Sequence, residues 1–336
     1  VDIQGIYEYV IGTSNPEPLL RYWAEFGYRP VIEGSLPAAE ALALYGVESG
    51  LTSFRLQNGE VGTHGLIRLM VWDVPPRPGL GNSRPLTVGS RWLTARTNDI
   101  LYLRDTFMDV VQAGEDWRVS DLIRQTIREG QEAAGFYRRF VGVREMMVVG
   151  PETRQVFFQR YGYDVPGYGT INANSALQVS EGTHGGIVVP DLNHLDFYTE
   201  VFGLELEKRE VAAPARPDKR VDINIKGNTL AIGPLMRNEG ESYQFATLVT
   251  PAAKVGRLYV IAPESALPDM REQSRPGVAG MCLATYRVAP VGEYYQRVKE
   301  SGATELTSLL ANEFGEASFT FKAPDGIVWG LIGNLN

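Results

Sequence analysis

Short runs of alternating apolar and polar residues, each followed by a helical apolar stripe, recur along this chain. The clearest copy is Thr183-His184-Gly185-Gly186-Ile187-Val188-Val189-Pro190-Asp191, followed by Leu192 to Phe202 and Gly203. Asp191 is placed to accept from the free N–H groups of a first helical turn. Leu192, Leu195, Tyr198 or Thr199, and Phe202 then fall on one stripe. Gly203 supplies a left-handed stop. Leu204 to Val211 alternates like a half-buried strand.

The same pattern opens the chain: a strand over Ile6–Ile11, Asn15 as cap, Pro16 at the first helical position, and a stripe of Leu19 or Leu20, Trp23 and Phe26 before Gly27. A second copy runs through Trp92–Thr97, a cap at Asn98 or Asp99, then Ile100, Leu103, Phe107 and Val110 before Gly114. The last runs from Met281–Val288 through Val291, Tyr294 or Tyr295, and Val298 to Gly302. Further strands are expected after each helix, at Leu51–Leu56, Leu66–Trp72, Gln244–Thr250, Leu258–Ile261 and around the turn Pro324-Asp325-Gly326. A strand, a helix and three strands cannot bury both faces of their own sheet, so the units must pair.

Two segments interrupt the repeat, the Pro- and Gly-rich stretch Val74–Pro85 and the Gly-, Tyr- and Asn-rich stretch Tyr161–Ser180. Gly79-Leu80-Gly81 follows prolines and opens no helix, so no nucleotide is expected there. Units near 1–75 and 88–160 are read as one pair within 1–165, and units near 181–263 and 276–336 as a second pair within 181–336, with 161–180 as linker.

Composition narrows the function classes. The 336 residues are 44% hydrophobic, as expected for a chain with a large core. With Lys+Arg 32 against Asp+Glu 40, a net charge of −8 leaves no excess to neutralise nucleic-acid phosphates. One cysteine, Cys282, excludes an intramolecular disulfide and a thiolate metal cluster, and fits a cytoplasmic protein. No apolar run reaches the roughly 18 residues of a membrane-spanning helix, and the first residues show no signal-peptide pattern.

Candidate chemistry is sparse. The chain has three histidines, His64, His184 and His194. His194 reads as a helix-surface residue, whereas His64 and His184 enter strands. There is no Gly-x-Ser-x-Gly elbow, phosphate loop or His-Glu-x-x-His helix. Cys282 is either a small core residue or a nucleophile. Tyr7, Tyr9, Trp92, Tyr259 and Trp329 lie on strands where alternation sends about half of the side chains to one face. With Arg68, Arg96 or His184 as polar tips, they would suit a largely apolar ligand with one anionic or hydroxylated end.

In this organisation, in the segment His184–Asp191 with Phe197-Tyr198 behind it, and in the closing Pro324-Asp325-Gly326 turn, the chain resembles the vicinal oxygen chelate superfamily of glyoxalases, bleomycin resistance proteins and extradiol dioxygenases. The resemblance implies an α+β fold of four βαβββ modules, paired into two curled mixed β-sheet cups with helices outside. It also implies a divalent metal, Fe, Mn or Zn, held by first- and last-strand residues. By position, His184 matches a first-strand ligand, Met281 beside Cys282 its partner, and Gly330 the place of a last-strand Glu. Tyr7 or Glu8, Trp92, Arg68 and Phe157 fall at the corresponding places of the other units. The usual metal triad is therefore incomplete.

The expected function is an enzyme acting on a small hydrophobic or aromatic compound by lyase, isomerase or ring-cleaving chemistry. His184 would be its acid/base or sole metal ligand, and Tyr7, His64, Arg68, Trp92, Tyr259, Met281, Cys282 and Trp329 would line the binding site. Two alternatives stay open: a resistance-type protein that only sequesters its ligand, and a metal-dependent extradiol dioxygenase with displaced ligands. A homodimer also stays open, as does whether one cup serves only to stabilise its neighbour or to form that dimer.

Overall fold

The computed structural model describes residues 2–133, 138–212, 243–251, 255–264 and 268–334. The first unit is β1 (Asp2–Thr13), α1 (Pro16–Glu25), β2 (Tyr28–Leu36), α2 (Ala38–Tyr45), β3 (Leu51–Asn58) and β4 (Leu66–Trp72). The second is β5 (Arg91–Thr97), α3 (Ile100–Gln112), β6 (Arg118–Val119), β7 (Ile123–Ala133), β8 (Arg138–Val149) and β9 (Arg154–Tyr161). The third contains β10 (Val179–Val188), α4 (Leu195–Glu200), β11 (Glu205–Ala212), β12 (Tyr243–Val249) and β13 (Leu258–Pro263). The fourth is β14 (Gly280–Ala289), α5 (Val291–Glu300), β15 (Leu310–Ala311), β16 (Ala317–Lys322) and β17 (Val328–Gly333).

Local signals explain the helix ends. Asn15 accepts from Glu17 N at the head of α1, with Pro16 in the first turn, and Asp99 accepts from Tyr102 N at the head of α3. Asp191 does not cap α4 directly. Its carboxylate accepts from Asn193 N in a preceding turn, and the helix proper begins after His194. The stripes predicted from sequence are buried, with Leu19 and Trp23 on α1, Leu103 and Phe107 on α3, and Val291, Tyr294 and Val298 on α5.

The fold is α+β, with two curled mixed sheets. Their composition differs from the expected pairing by neighbours. One sheet has the order β15-β16-β17-β14-β1-β4-β3-β2 and joins the first unit to the fourth; the other runs β11-β12-β13-β10-β5-β9-β8-β6, with β7 on β8, and joins the second to the third. The central pairs β1/β14 and β5/β10 are antiparallel, and each first strand runs parallel to the last strand of its own unit. The chain crosses between sheets after β4 and returns after β13. These two crossings lie side by side, bridged at Arg77↔Val278 and Val88↔Asp269. Sequence periodicity reports each unit but carries no information about which partner completes its sheet.

A shared core gathers α1, α3, α4 and α5 with one face of each sheet, among them Trp23 of α1 and Phe26 just after it, Phe107 of α3, Tyr198 and Phe202 near α4, and Tyr294 of α5. In contrast, α2 packs through Ala41, Leu44 and Tyr45 with Val10, Met70 and Cys282. The sheets meet where Gly65 N donates to Ile6 O and Gly182 N to Gly65 O. Tyr28 Oη donates to Gly65 O at 3.0 Å and accepts from Gly182 N at 3.0 Å. Gly65 has φ +67°, and a Cβ there would lie 2.1 Å from Gly182 O, so this approach admits only glycine.

Candidate active site

The face of the second sheet turned away from the shared core is rich in aromatic side chains. Trp92 of β5 packs with Val188, Met147, Val149 and Ile261, and the half-buried Val156, Tyr243, Phe245 and Tyr259 lie against that cluster. The Trp92 indole lies flat on β10 because residue 186 is glycine: a Cβ there would come within 2.0 Å of the indole Cζ2.

His184 occupies the middle of this face. Its ring centroid is 5.3 Å from Tyr259, 5.7 Å from Tyr168 and 5.8 Å from Phe158. Its Nδ1 lies 2.7 Å from Tyr168 Oη and 2.9 Å from Thr183 Oγ1. Thr183 donates its hydroxyl hydrogen to Thr94 O at 3.1 Å. We therefore assign the Nδ1 bond to the Tyr168 hydroxyl as donor, which places the proton of the neutral ring on Nε2. Burial, and then the nearby Arg257 and Arg160 guanidinium groups, lower the pKa of His184 to about 3. The ring is thus neutral at pH 7. It is a hydrogen-bonding group there, not the titrating acid/base that an ordinary histidine pKa had suggested.

The titrating group is one that sequence reading missed. Glu145 of β8 stands opposite Phe158 of β9, and burial pushes its carboxyl up to about 7. Its charge reaches Tyr259 and Tyr163 and raises both phenol pKa values, Tyr259 to about 12, with burial the larger cause for each. Glu145 and His184 therefore share neighbours across the curl of the sheet. Thr94, paired with His184 in the β5/β10 register, is 1% exposed, and its Oγ1 has no hydrogen-bond partner among the described residues. A single Glu between Arg144 and Met146 carries no motif, and only the pairing of β8 with β9 brings it to this face.

The segment 161–180 is also more than a linker. Val165 and Tyr168 pack on Val143 and Phe158, and Arg160 lies over the rings of Phe158, Tyr163 and Tyr168 at 5.2, 6.0 and 5.1 Å. Arg96 donates to Gly169 O at 3.2 Å and pairs with Asp164 at 3.1 Å, fixing that wall of the site.

Of the residues predicted to line a site, Trp92, His184 and Tyr259 come together here and the others do not. Trp329 faces the helices, where its Nε1 donates to Tyr198 Oη at 3.2 Å and its ring packs on Phe202 and Tyr286. Met281 joins the same shared core, while Cys282 packs on the opposite face with Val10 and Leu283. Irregularities in the β1/β14 register, one of them between Val10 and Ile11, shift the alternation on which the expected inward positions rested. Burial raises the Cys282 thiol to about 11, which removes it as a nucleophile. His64 sits at the seam between the sheets, 3.3 Å from Glu181 and 3.0 Å from Thr63.

Arg68 and Tyr7 belong to the other sheet. There Glu8, 0% exposed, receives Arg55 Nε at 2.6 Å, Thr285 Oγ1 at 2.9 Å, and the Nε and Nη2 of Arg68. The two guanidinium groups hold the Glu8 carboxyl at about 2 against the opposing effect of burial. Tyr7 borders this cluster, its ring 5.0 Å from the Arg55 guanidinium and 5.2 Å from that of Arg287.

The described residues do not fit the divalent metal that the resemblance implies. Among them, no group of three or more His, Cys, Asp or Glu side chains is placed to hold an ion. In the second sheet His184 stands among phenols and apolar rings, with one carboxylate, Glu145, on its face and the Arg257 and Arg160 guanidinium groups, which repel a cation, nearby. In the first sheet Glu8, the buried carboxylate on β1, is already bound by two cations.

Residues 183–331 match the family model Glyoxalase/Bleomycin resistance protein/Dioxygenase superfamily. The fold is similar to that of glyoxalase I from Zea mays, at TM-score 0.55 and 13% identity over 98% of this chain and 92% of that one. A mutant of the same enzyme gives TM-score 0.56 and 14% identity over the same shares. A Bacillus subtilis chain named as a candidate dioxygenase matches at TM-score 0.55 and 10% identity, over 100% of this chain and 86% of that one. No curated protein matches the chain.

Proposed function

We propose that this chain, a member of the glyoxalase/bleomycin resistance protein/dioxygenase superfamily, is an enzyme that moves a proton on a small aromatic or similarly hydrophobic carbonyl or hydroxyl compound. The reaction takes place on the aromatic face of the sheet built from the second and third units. Trp92, Tyr259 and Phe245 bind the flat apolar body of the compound. The neutral His184 donates from Nε2 to its oxygen, and Tyr168 holds the ring in that tautomer. Thr94 Oγ1 supplies a second polar contact beside it. Glu145, with a pKa near the working pH, takes a proton from the carbon alpha to the carbonyl, whose oxygen His184 holds as the enolate forms, and returns it to another carbon, an isomerase-type step.

The observation that carries this reading is the shared face of Glu145 and His184, one carboxyl poised near neutrality and one imidazole kept uncharged. No step is routed through a metal, because the described donor set does not fit one. No described helix is long and apolar enough to cross a membrane, and the sole cysteine is free and buried. Both features suit the cytoplasmic location that we propose.

Hydrogen–deuterium exchange on 2-tetralone, a ketone fused to an aromatic ring with an acidic benzylic C–H alpha to its carbonyl, tests the proposal. Chelator-treated enzyme should speed exchange in D2O, and Glu145→Gln should abolish that effect while leaving binding in place. Binding without exchange would favour the sequestering alternative. Exchange only after adding Fe, Mn or Zn would favour the metal-dependent dioxygenase reading.

A further inference from the structure

The corresponding face of the first sheet already holds an occupant that belongs to the chain itself. Residues 312–316, the tip of the β15/β16 hairpin, enter it from the fourth unit. The tip is a tight turn: Asn312 Oδ1 accepts from Phe314 N and Glu316 N, each at 3.0 Å, and Gly315 has φ +76°. It passes so close to β2 that a Cβ on Gly34 would lie 2.0 Å from Glu313 O.

Three side chains of the tip meet the two buried guanidinium groups. Glu316 takes Arg55 in a two-pronged contact, Nη2 to Oε2 at 2.6 Å and Nη1 to Oε1 at 3.2 Å. The Phe314 ring covers the same guanidinium at 4.2 Å and that of Arg68 at 5.5 Å. Glu313 accepts from Tyr45 Oη and Ser53 Oγ, both at 2.5 Å, and lies 3.5 Å from Arg68 Nη1. A carboxylate on the fork of an arginine with an aromatic ring over its plane is how a free aryl carboxylate would be held. Without the tip, Arg55 and Arg68 would face Glu8 alone, leaving one net positive charge.

We infer that the first sheet carries an aryl-carboxylate site built on Arg55, with Arg68 where the resemblance puts a metal, and that the hairpin tip fills this site as a tethered ligand. The inference stands whether or not the other sheet is catalytic.

Removing the mimic should reopen the site. The variant F314A/E316Q takes away the ring and the two-pronged carboxylate but keeps Glu313 and the Asn312 turn. In a Trp92→Ala background, which disables the other face, benzoate should raise its melting temperature by about 2 °C or more, in a saturable manner. Acetate, lacking the ring, should do less, and Trp92→Ala alone should not respond. Equal benzoate stabilisation of the plugged and unplugged proteins would overturn the inference, as would a folded F314A/E316Q without response. Should the double variant fail to fold, E316Q alone serves, since benzoate must stabilise it beyond its Trp92→Ala parent or the proposal fails.

Discussion

The phenol oxygen of Tyr168 lies 2.7 Å from Nδ1 of His184, so a residue of the inter-unit segment sets the tautomer of the imidazole at the centre of the aromatic face. Tyr168→Phe removes that donor and leaves the ring packing of residue 168 in place. We expect 2-tetralone affinity to fall about tenfold, the worth of one hydrogen bond of ~1.4 kcal/mol, with little change in melting temperature. Isothermal titration calorimetry measures the first and thermal unfolding the second. Unchanged affinity would mean that His184 does not contact the ligand.

The raised carboxyl of Glu145 gives stability a definite pH dependence. Its folded pKa of about 7 stands above the ordinary 4.5, so the native state binds the proton more tightly than the unfolded chain does. That contribution is complete below pH 4.5 and is lost as pH rises through 7. His184 acts in the opposite sense. Its folded value of about 3 lies below 6.5, so its contribution is present above pH 6.5 and is lost as pH falls toward 3. Urea unfolding between pH 4 and 8 should show the two partly cancelling. Glu145→Gln should leave stability rising with pH over the lower part of that range, and a curve identical to wild type would refute the raised carboxyl.

Losses from removing the two partners of the ion cluster on the first sheet should be less than additive. Arg68→Met strands the buried Glu8 carboxylate among fewer cations and should cost about 3–5 kcal/mol. The double variant Glu8→Gln/Arg68→Met should lose less than the sum of its single changes, because most of the cost is the uncompensated charge. A double-mutant cycle in urea reads the coupling, and additive losses would show that the pair is not coupled.

Gly186→Ala tests the floor of the aromatic face. The new Cβ falls 2.0 Å from the Trp92 ring, which must swing away, at a cost of about 1–3 kcal/mol. Binding of 2-tetralone should be lost while the protein still unfolds cooperatively. Retained affinity would take Trp92 out of the site.

Much of this architecture is written locally. Asn15, Pro16 and the Leu19/Trp23 stripe announce α1, and comparable signals mark the other units, so four copies and an α+β fold can be read from the chain. Which units share a sheet cannot, because Val10 or Ile187 is equally buried whichever partner strand lies beside it. The site was legible in proportion to strand parity. Alternation sends Trp92, His184 and Tyr259 each into a cup, but pairing of neighbouring units would put Trp92 in a different cup from the other two. The β5/β10 pairing brings them to one face, with a register shift just before His184. Met281 and Trp329 were not placed correctly, in the first case because β1/β14 register shifts alter the alternation. Glu145 and Tyr168 owe their roles to long-range contacts that have no sequence signature. The arginine cluster is half visible: Arg68 stands out at a ligand position, but Glu313, which meets Arg68, and Glu316, which meets Arg55, arrive from more than 240 residues away.

A crystal structure of the chelator-treated protein with 2-tetralone tests the central claim most directly. The account predicts the ketone on the second sheet, against Trp92 and Tyr259, with its oxygen within hydrogen-bonding distance of His184 Nε2 and no metal beside it. A ketone coordinated to a metal, or bound away from Trp92 and His184, would contradict it.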